Sequence, residues 1–557
     1  MAGELIGFVV DGQARENIRV QIKDPNQILQ INDFVRIESR NGVFFGVIRD
    51  IAINPLQRDF PIFDIDDEIL RDYVHTRWYR RDAYVQLLYM ERWGGQLMPA
   101  LDIPEQGDAV RLATQYDLDL VMLRQAGQVH IDQIDDAYTL GTLMREGLQV
   151  KIHLRDLVRL SFGVFGMSGT GKTFFMIPLI ARVIAQGLSG VLIFDFHNDY
   201  GYTLKGANNE NYPSLKQLSS ISSRVHVYGI GVSSQGTIGQ KEESTLRIHP
   251  SEISPDDFLN AFELSEVQHN AITNIYHERK RYGKDSDWLE FLYHATVGEK
   301  SEEEEKALSE IAAKYHIQKN TLRSIQNRVI SVMQTIGYSG KNDVPPIKKD
   351  TEQIVSYLEK GDAVVLNFSN ISSDSTMTRL MVSVLMRRIW QHYTHMRESR
   401  REHAKQLLIV LEEAHRFLTQ ESSTPASIFG RVAREMRKYN VTLAVIDQRP
   451  SSIAEDVRSQ LSTKFVGRLG SDDDIRAVAV GTPQSDAFVD LIRRLNSNNH
   501  MVVGGPVVAA PTMFETIPYR KAIEAFGAPK EEKKPFENIY LSRDEYMKLM
   551  RSRREPF

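Results

Sequence analysis

The chain has 557 residues, 42 % of them hydrophobic and 25 % charged, with a formal net charge of −5 and no cysteine. That composition is the one expected of an ordinary soluble globular protein of roughly two to four domains. It excludes disulfides, thiolate nucleophiles and cysteine zinc sites, and no apolar run reaches the ~18 residues a membrane span needs. The negative balance gives the surface as a whole no nucleic-acid signature, although a ring can line a pore with basic groups while its outside stays acidic.

Residues 1 to 95 alternate short β patterns with turn signals: "LIGFVV", "NIRVQI", "DFVRIES", "VFFGVIRDIAI" and "YVQLLYM". "RNG" at Arg40 to Gly42 marks a tight turn between two of them. Several short strands without helices suggest a small β-barrel. Residues 96 to 150 read as a mixed connector.

From residue 151 the pattern becomes α/β, with near-continuous apolar strands at "FGVFG", "GVLIFDF", "AVVLNFS", "LLIVLEE", "VTLAVID", "KFVGRL" and "HMVVGG". Such runs fit strands buried on both faces of an open P-loop sheet, 151–249 and 346–525 forming its two parts. The sheet is interrupted at 250–345, where helix starts replace strand signals. Ser254 precedes Pro255, Ser265 forms a capping box with Gln268, and Ser301 precedes four glutamates. An inserted helical bundle is expected there. Residues 526–557 read as a charged tail.

Gly166-Met167-Ser168-Gly169-Thr170-Gly171-Lys172-Thr173 matches G-x-x-x-x-G-K-[ST] in full, after an apolar strand and before the helical pattern "FFMIPLIARVIAQ". Glycines let backbone N–H groups close around phosphate oxygens, and the helix N-terminus adds a favourable dipole. Lys172 is expected to reach the β and γ phosphates of ATP, and Thr173 to ligate Mg²⁺. "LLIVLEEAH" ends a strand in Glu412 and Glu413, carboxylates suited to a metal-bound water and to the attacking water. "LAVIDQRPSS" ends another in Asp447 and Gln448, and Gln448 reads as a γ-phosphate sensor. "VLIFDFHNDYG" is read as a neighbour of the P-loop strand. Its Asp195, His197 and Asp199 are balanced between the site edge and turn capping. "FGRVAREMRKYNV" carries Arg431, Arg434, Arg437 and Lys438, either an arginine finger for a neighbouring subunit or a solvated basic face. "RWYRR", "HERKRYGK" and "MRESRREHAK" are basic clusters that suit phosphate contacts or a solvated face.

In combination, "GMSGTGKT", "FDFHNDYG", "EEAHRFL", "REMRKYNV" and "DQRPSSIAEDVRSQLSTKFVGRL" resemble the HerA family of hexameric DNA-translocating ATPases, relatives of the FtsK motors. The resemblance runs to about residue 520. It implies a RecA-like P-loop core with an N-terminal barrel of the ATP-synthase type and the inserted bundle. It implies a cytoplasmic homohexamer around double-stranded DNA, using ATP and Mg²⁺. Residue by residue, Lys172 and Thr173 would bind nucleotide and metal, Glu412 would support the metal, Glu413 would be the catalytic carboxylate and Gln448 the sensor. The trans-acting arginine falls on the "REMRK" helix, at Arg437 in preference to Arg434. Two departures are Glu412 where many P-loop motors carry Asp, and Asp447 where a small residue is common. The family also implies a nuclease or sirtuin-like effector docked on the barrel face, in DNA-end processing or bacterial antiviral defence. A nucleotide-gated ring scaffold for such an effector is the alternative, and a conjugation-type coupling ATPase the third reading.

Overall fold

The computed structural model describes residues 3–527 apart from 14–16, 25, 56–78, 93–95, 125–136, 145–146, 207–209, 231–243, 247, 263, 282–287, 297–301, 337, 339–349, 369–375, 399–403, 419–431 and 433. The N-terminal strands are β1 (Leu5–Asp11), β2 (Ile18–Ile22), β3 (Phe34–Ser39), β4 (Gly42–Pro55), β5 (Tyr79–Arg92), β6 (Gln96–Pro99) and β7 (Ala109–Leu112). They pair in the order β2-β1-β7-β3-β4-β5, and β5 pairs back onto β2, closing a six-stranded barrel from which β6 extends. Every ladder in it is antiparallel. Closure removes the free edges that open antiparallel sheets expose. Side-chain alternation then gives the barrel two apolar faces. Val35, Ile37 and Phe44 fill its interior, while Phe34, Val43, Phe45 and Val47 pack outward against Leu118, Val121 and Met122 of the helix Gln115–Arg124.

Residues 96–150 do not form a separate connector. β7 is a barrel strand seated between β1 and β3, so the barrel runs past residue 95. Beyond the helix Gln115–Arg124, β8 (Ala137–Leu143) and β9 (Gln149–His153) form the edge of the second sheet. The alternating signal of β7 is only four residues long, too short to be read apart from its loops.

The second sheet continues with β10 (Phe162–Phe165), β11 (Gly190–Asp195), β14 (Val225–Gly229), β15 (Ser244–Thr245), β16 (Ala363–Asn367), β17 (Leu407–Glu412), β18 (Val441–Asp447), β19 (Thr463–Val466), β20 (His500–Gly504) and β21 (Thr512–Thr516), with β12 (Thr203–Lys205) and β13 (Asn211–Pro213) forming a separate hairpin. Its order is β15-β14-β16-β11-β17-β18-β10-β19-β20-β21-β8-β9. Strands from β15 to β19 run parallel, and those from β19 to β9 antiparallel. One expectation is corrected here. β11 is not next to the P-loop strand β10, because β18 and β17 lie between them. All of β11, β17 and β18 are buried, so apolar runs of equal quality carry no record of their neighbours.

Leu407, Ile409 and Leu411 of β17 face one core, and Leu408 and Val410 face the other. The first core is covered by the helices Asp350–Lys360 and Thr376–Glu398 and by the inserted helices between 255 and 335. The second is covered by the helix Lys172–Ala185. Among the described residues, 250–338 carry helical elements and no strand. Ser254 caps the helix Pro255–Ala261 reciprocally with Asp257, and Ser265 and Gln268 exchange the corresponding bonds. Ser301 and the tail after 527 lie outside the described residues.

The fully buried Phe465 of β19 packs edge-on to Phe162 of β10 and against Phe175 of the P-loop helix, at ring separations of 6.2 and 5.1 Å. Phe465→Ala is expected to cost about 3–5 kcal/mol in denaturant unfolding. A loss below about 1 kcal/mol would show that this packing does not support the loop above it.

Candidate functional site

The loop Gly166 to Thr173 joins β10 to the helix Lys172–Ala185. Gly169 and Gly171 sit at φ of 78° and 82°, a region other residues enter at a cost. At Gly166 a Cβ would meet the Thr170 hydroxyl at 2.5 Å. The loop is pinned from two sides, by Gly166 N donating to Asp447 O (3.2 Å) and Met167 N donating to Arg468 O (2.9 Å). Thr170 is buried and bonds Met167 O through its hydroxyl at 2.8 Å, whereas Met167, Ser168 and Gly169 are exposed. Lys172 Nζ donates to the carbonyls of Gly166 (2.7 Å) and Met167 (3.0 Å), inside the curve of its own loop. Burial lowers its pKa, and Glu413, Asp447 and Glu412 oppose that shift.

β17 brings Glu412 beneath this loop. Its carboxylate is buried and meets the Thr173 hydroxyl at 3.5 Å through Oε1, while Oε2 has no hydrogen-bond partner. Burial, together with Asp195, Asp199 and Glu413, holds its pKa well above the usual carboxylate range. An unpartnered buried oxygen beside a threonine hydroxyl fits a hard divalent cation, which takes oxygen ligands. No group of three or more histidine or acidic residues with metal-site geometry occurs among the described residues. Thr173 and Glu412 would therefore share Mg²⁺ with the nucleotide, and the ion would neutralise phosphate charge there.

Glu413 leaves the strand in the left-handed region, φ 48° and ψ 49°. For a non-glycine residue this costs of order 1–2 kcal/mol, and such strain concentrates at functional sites. The turn separates the two carboxylates. Glu413 Oε1 accepts from Gln448 Nε2 at 3.0 Å and lies 3.6 Å from His197 Nε2, an ion-pair distance longer than a hydrogen bond. His415 Nδ1 is 3.5 Å from Glu413 Oε2 and 3.0 Å from Asp447 Oδ2. Asp447 is buried and also accepts from the backbone N–H groups of His415 (2.7 Å) and Arg449 (2.8 Å). The structure thus brings together Lys172, Thr173, Glu412, Glu413 and Gln448.

The residues of "FDFHNDYG" divide between their two readings. Asp195 is a turn acceptor, taking the N–H groups of His197, Asp199 and Tyr200. His197 faces Glu413. The sequence places His197 between the site edge and a turn and gives His415 no role, whereas the structure sets both beside Glu413. Each follows the end of a buried strand, the only signal the sequence carries for them, and β11 lies beside β17 only in the folded sheet.

Arg434 and Arg437 stand apart from this cluster. Arg434 Nη1 pairs with Asp456 Oδ2 at 2.5 Å, and Arg437 is exposed with no side-chain bond among the described residues. Arg431 lies outside them. Of the basic clusters, Arg80 pairs with Asp82, Arg81 donates to Gln27 O, Arg279 stacks on Phe291 and Arg281 pairs with Glu278. Much of the rest falls outside the described residues.

The His197 imidazole and the Gln448 amide hold the Glu413 pKa down to about 2, against burial. Its folded value is depressed, so its contribution to stability is present above the usual carboxylate range and is lost as pH falls towards 2. His415 is raised by its bond to Asp447 and His197 by Glu413. Their contributions are full below 6.5 and disappear as pH rises through the raised values. The stability gap between the native protein and His415→Gln should therefore narrow on going from pH 6 to pH 9, and a gap that widens would contradict the pairing. Glu413→Gly should unfold later than Glu413→Ala by about 1 kcal/mol, because glycine enters the left-handed region freely.

Lys172 on its loop, an acidic pair at the end of β17 and the strand β18 between them are the parts of a P-loop ATP hydrolase. The chain matches the family model "Helicase HerA, central domain" over residues 138–389. It is 22% identical over 531 residues to the DNA double-strand break repair helicase HerA of Saccharolobus solfataricus, covering 92% of this chain and 93% of that protein. With the HerA helicase of Sulfurisphaera tokodaii the identity is 25% over 436 residues, covering 74% and 73%. Among solved structures, VirB4 of Thermoanaerobacter pseudethanolicus aligns over 70% of this chain and 98% of its own, at 15% identity and a TM-score of 0.42.

Proposed function

We propose that this chain is the motor subunit of a homohexameric ring that moves double-stranded DNA at the expense of ATP. The observation that carries the reading is Glu413, turned out of its strand, kept ionised and hydrogen-bonded to Gln448 at the mouth of the Lys172 loop. Glu413 would orient and polarise the attacking water, Gln448 would report the γ phosphate, and Lys172 would stabilise charge on the transferred group. The relatives' names, DNA double-strand break repair helicases, supply the DNA. The barrel face is the proposed docking surface for a nuclease or sirtuin-like effector, in DNA-end processing or antiviral defence.

Purified protein should hydrolyse ATP several-fold faster with linear duplex DNA than without it. Glu413→Ala should lower turnover by about 10²-fold or more while keeping nucleotide binding. A slow rate indifferent to DNA would contradict the motor reading and favour the nucleotide-gated scaffold.

The pairing of Arg434 with Asp456 inside its own subunit supports Arg437 as the trans finger. Arg437→Ala should reduce turnover by about 10³-fold. Mixing it with Glu413→Ala subunits should recover part of the rate, because some interfaces then join an intact Glu413 to an intact Arg437. Recovery of nothing, with mixed rings present by mass, would place the finger elsewhere.

A further inference from the structure

The inserted helices carry a feature that ATP hydrolysis leaves unused. The helix Glu302–Lys314 ends in a four-residue turn, Tyr315 to Gln318, and the helix Lys319–Thr335 follows at once. In that turn His316 takes φ 52°, in the left-handed region. Ile317 N donates to Ala312 O at 2.8 Å and His316 N to Ala313 O at 3.4 Å, the paired bonds that end a helix sharply. Leu308 and Ile311 of the first helix and Ile325 and Val329 of the second are buried in one core, and Ile317 of the turn packs partly buried against it. The helix Glu266–Arg281 braces both. Its Gln268 donates to Ser324 Oγ (2.9 Å) and accepts from Arg328 (3.1 Å), and its Glu278 accepts from Lys314 and from Tyr315 (2.8 Å each). Two helices joined by a turn of three or four residues on a shared apolar spine follow the plan of a helix-turn-helix.

The second helix turns its other side to solvent. Asn320, Arg323, Asn327, Ser331 and Gln334 are exposed at intervals of three or four residues, so they form one stripe along the helix. Each is a side-chain type that reads base edges: arginine pairs with guanine, asparagine and glutamine with adenine, and serine with either. The sequence has no acidic residue between Glu310 and Asp343, and it places Lys314, Lys319, Arg323, Arg328 and Lys341 there. Glu303 to Glu305 sit at the opposite end of the first helix, roughly 15 Å along it from the turn.

We propose that this pair is a DNA-reading helix-turn-helix, with the helix Lys319–Thr335 entering the major groove of duplex DNA. The proposal rests on duplex DNA as the motor's substrate and adds a sequence preference to it. The major groove admits an α-helix, and residues near the start of the second helix meet the bases. Lys319 would then meet a phosphate, which carries no sequence, whereas Arg323 and Asn327 would meet base edges, which do. A motor so equipped would load at particular sites instead of on any duplex.

Selection from a random duplex library by the full chain, with excess competitor DNA present, tests this. One motif should be enriched, and a duplex carrying it should bind about tenfold or more tightly than a scrambled duplex of the same composition. Arg323→Ala should lower that ratio about tenfold and Asn327→Ala severalfold, whereas Lys319→Ala should weaken both duplexes alike and leave the ratio unchanged. A library returned with no enriched motif, or a ratio unchanged in both Arg323→Ala and Asn327→Ala, would overturn the proposal. A changed oligomeric state by mass in both variants, with the ratio intact, would also overturn it and make the stripe a contact between copies. ATP hydrolysis with and without DNA tests the motor reading separately. Stimulation without an enriched motif overturns the helix-turn-helix alone, and enrichment without stimulation overturns the motor reading alone.

Discussion

The site depends on one lysine charge held among carboxylates at the ends of buried parallel strands. Lys172 is drawn towards neutrality by burial and held charged by Glu413, Asp447 and Glu412. Each carboxylate in turn is stabilised by a different neighbour. Asp447 has backbone N–H groups and His415, Glu413 has Gln448 and His197, and Glu412 has the Thr173 hydroxyl on one oxygen only. A polyanion entering the loop therefore meets charge that is already organised, the condition under which electrostatic stabilisation is effective.

That arrangement follows from topology. Inserting β18 between β10 and β17 places Asp447 under the loop, where its carbonyl accepts from Gly166 N, and Gln448 within bonding distance of Glu413. Two adjacent glutamates on a regular strand would point to opposite faces. The left-handed turn at Glu413 breaks the alternation, so one carboxylate stays buried and the other opens towards the cluster. On the far side of the loop, the antiparallel strands β20, β21, β8 and β9 complete the sheet, and β21 and β8 line a cleft beside Gly169 and Gly171.

Much of this was legible in the residues. The loop 166–173, the acidic pair and the caps at Ser254 and Ser265 are local chemistry, and local chemistry survives in a sequence. Neighbourhood does not. β11, β17 and β18 are equally apolar, so nothing in them says which flanks β10. The contact of His197 with Glu413 depends on β11 lying beside β17, which only the folded sheet shows. The four residues of β7 carry too little alternation to be seen as a barrel strand. Tyr138, Tyr212 and Tyr519 are far apart in the chain, and only folding gathers them beside Phe174.

The central claim is that Glu412 and Glu413, adjacent in the chain, do separate work. It is tested most directly by measuring ATP affinity with and without Mg²⁺, alongside turnover, in Glu412→Gln and Glu413→Gln. Glu412→Gln should lose most of the Mg²⁺-dependent part of the affinity. Glu413→Gln should keep native, Mg²⁺-dependent affinity and lose turnover alone. Two variants that behave alike in both measurements would contradict the division of roles.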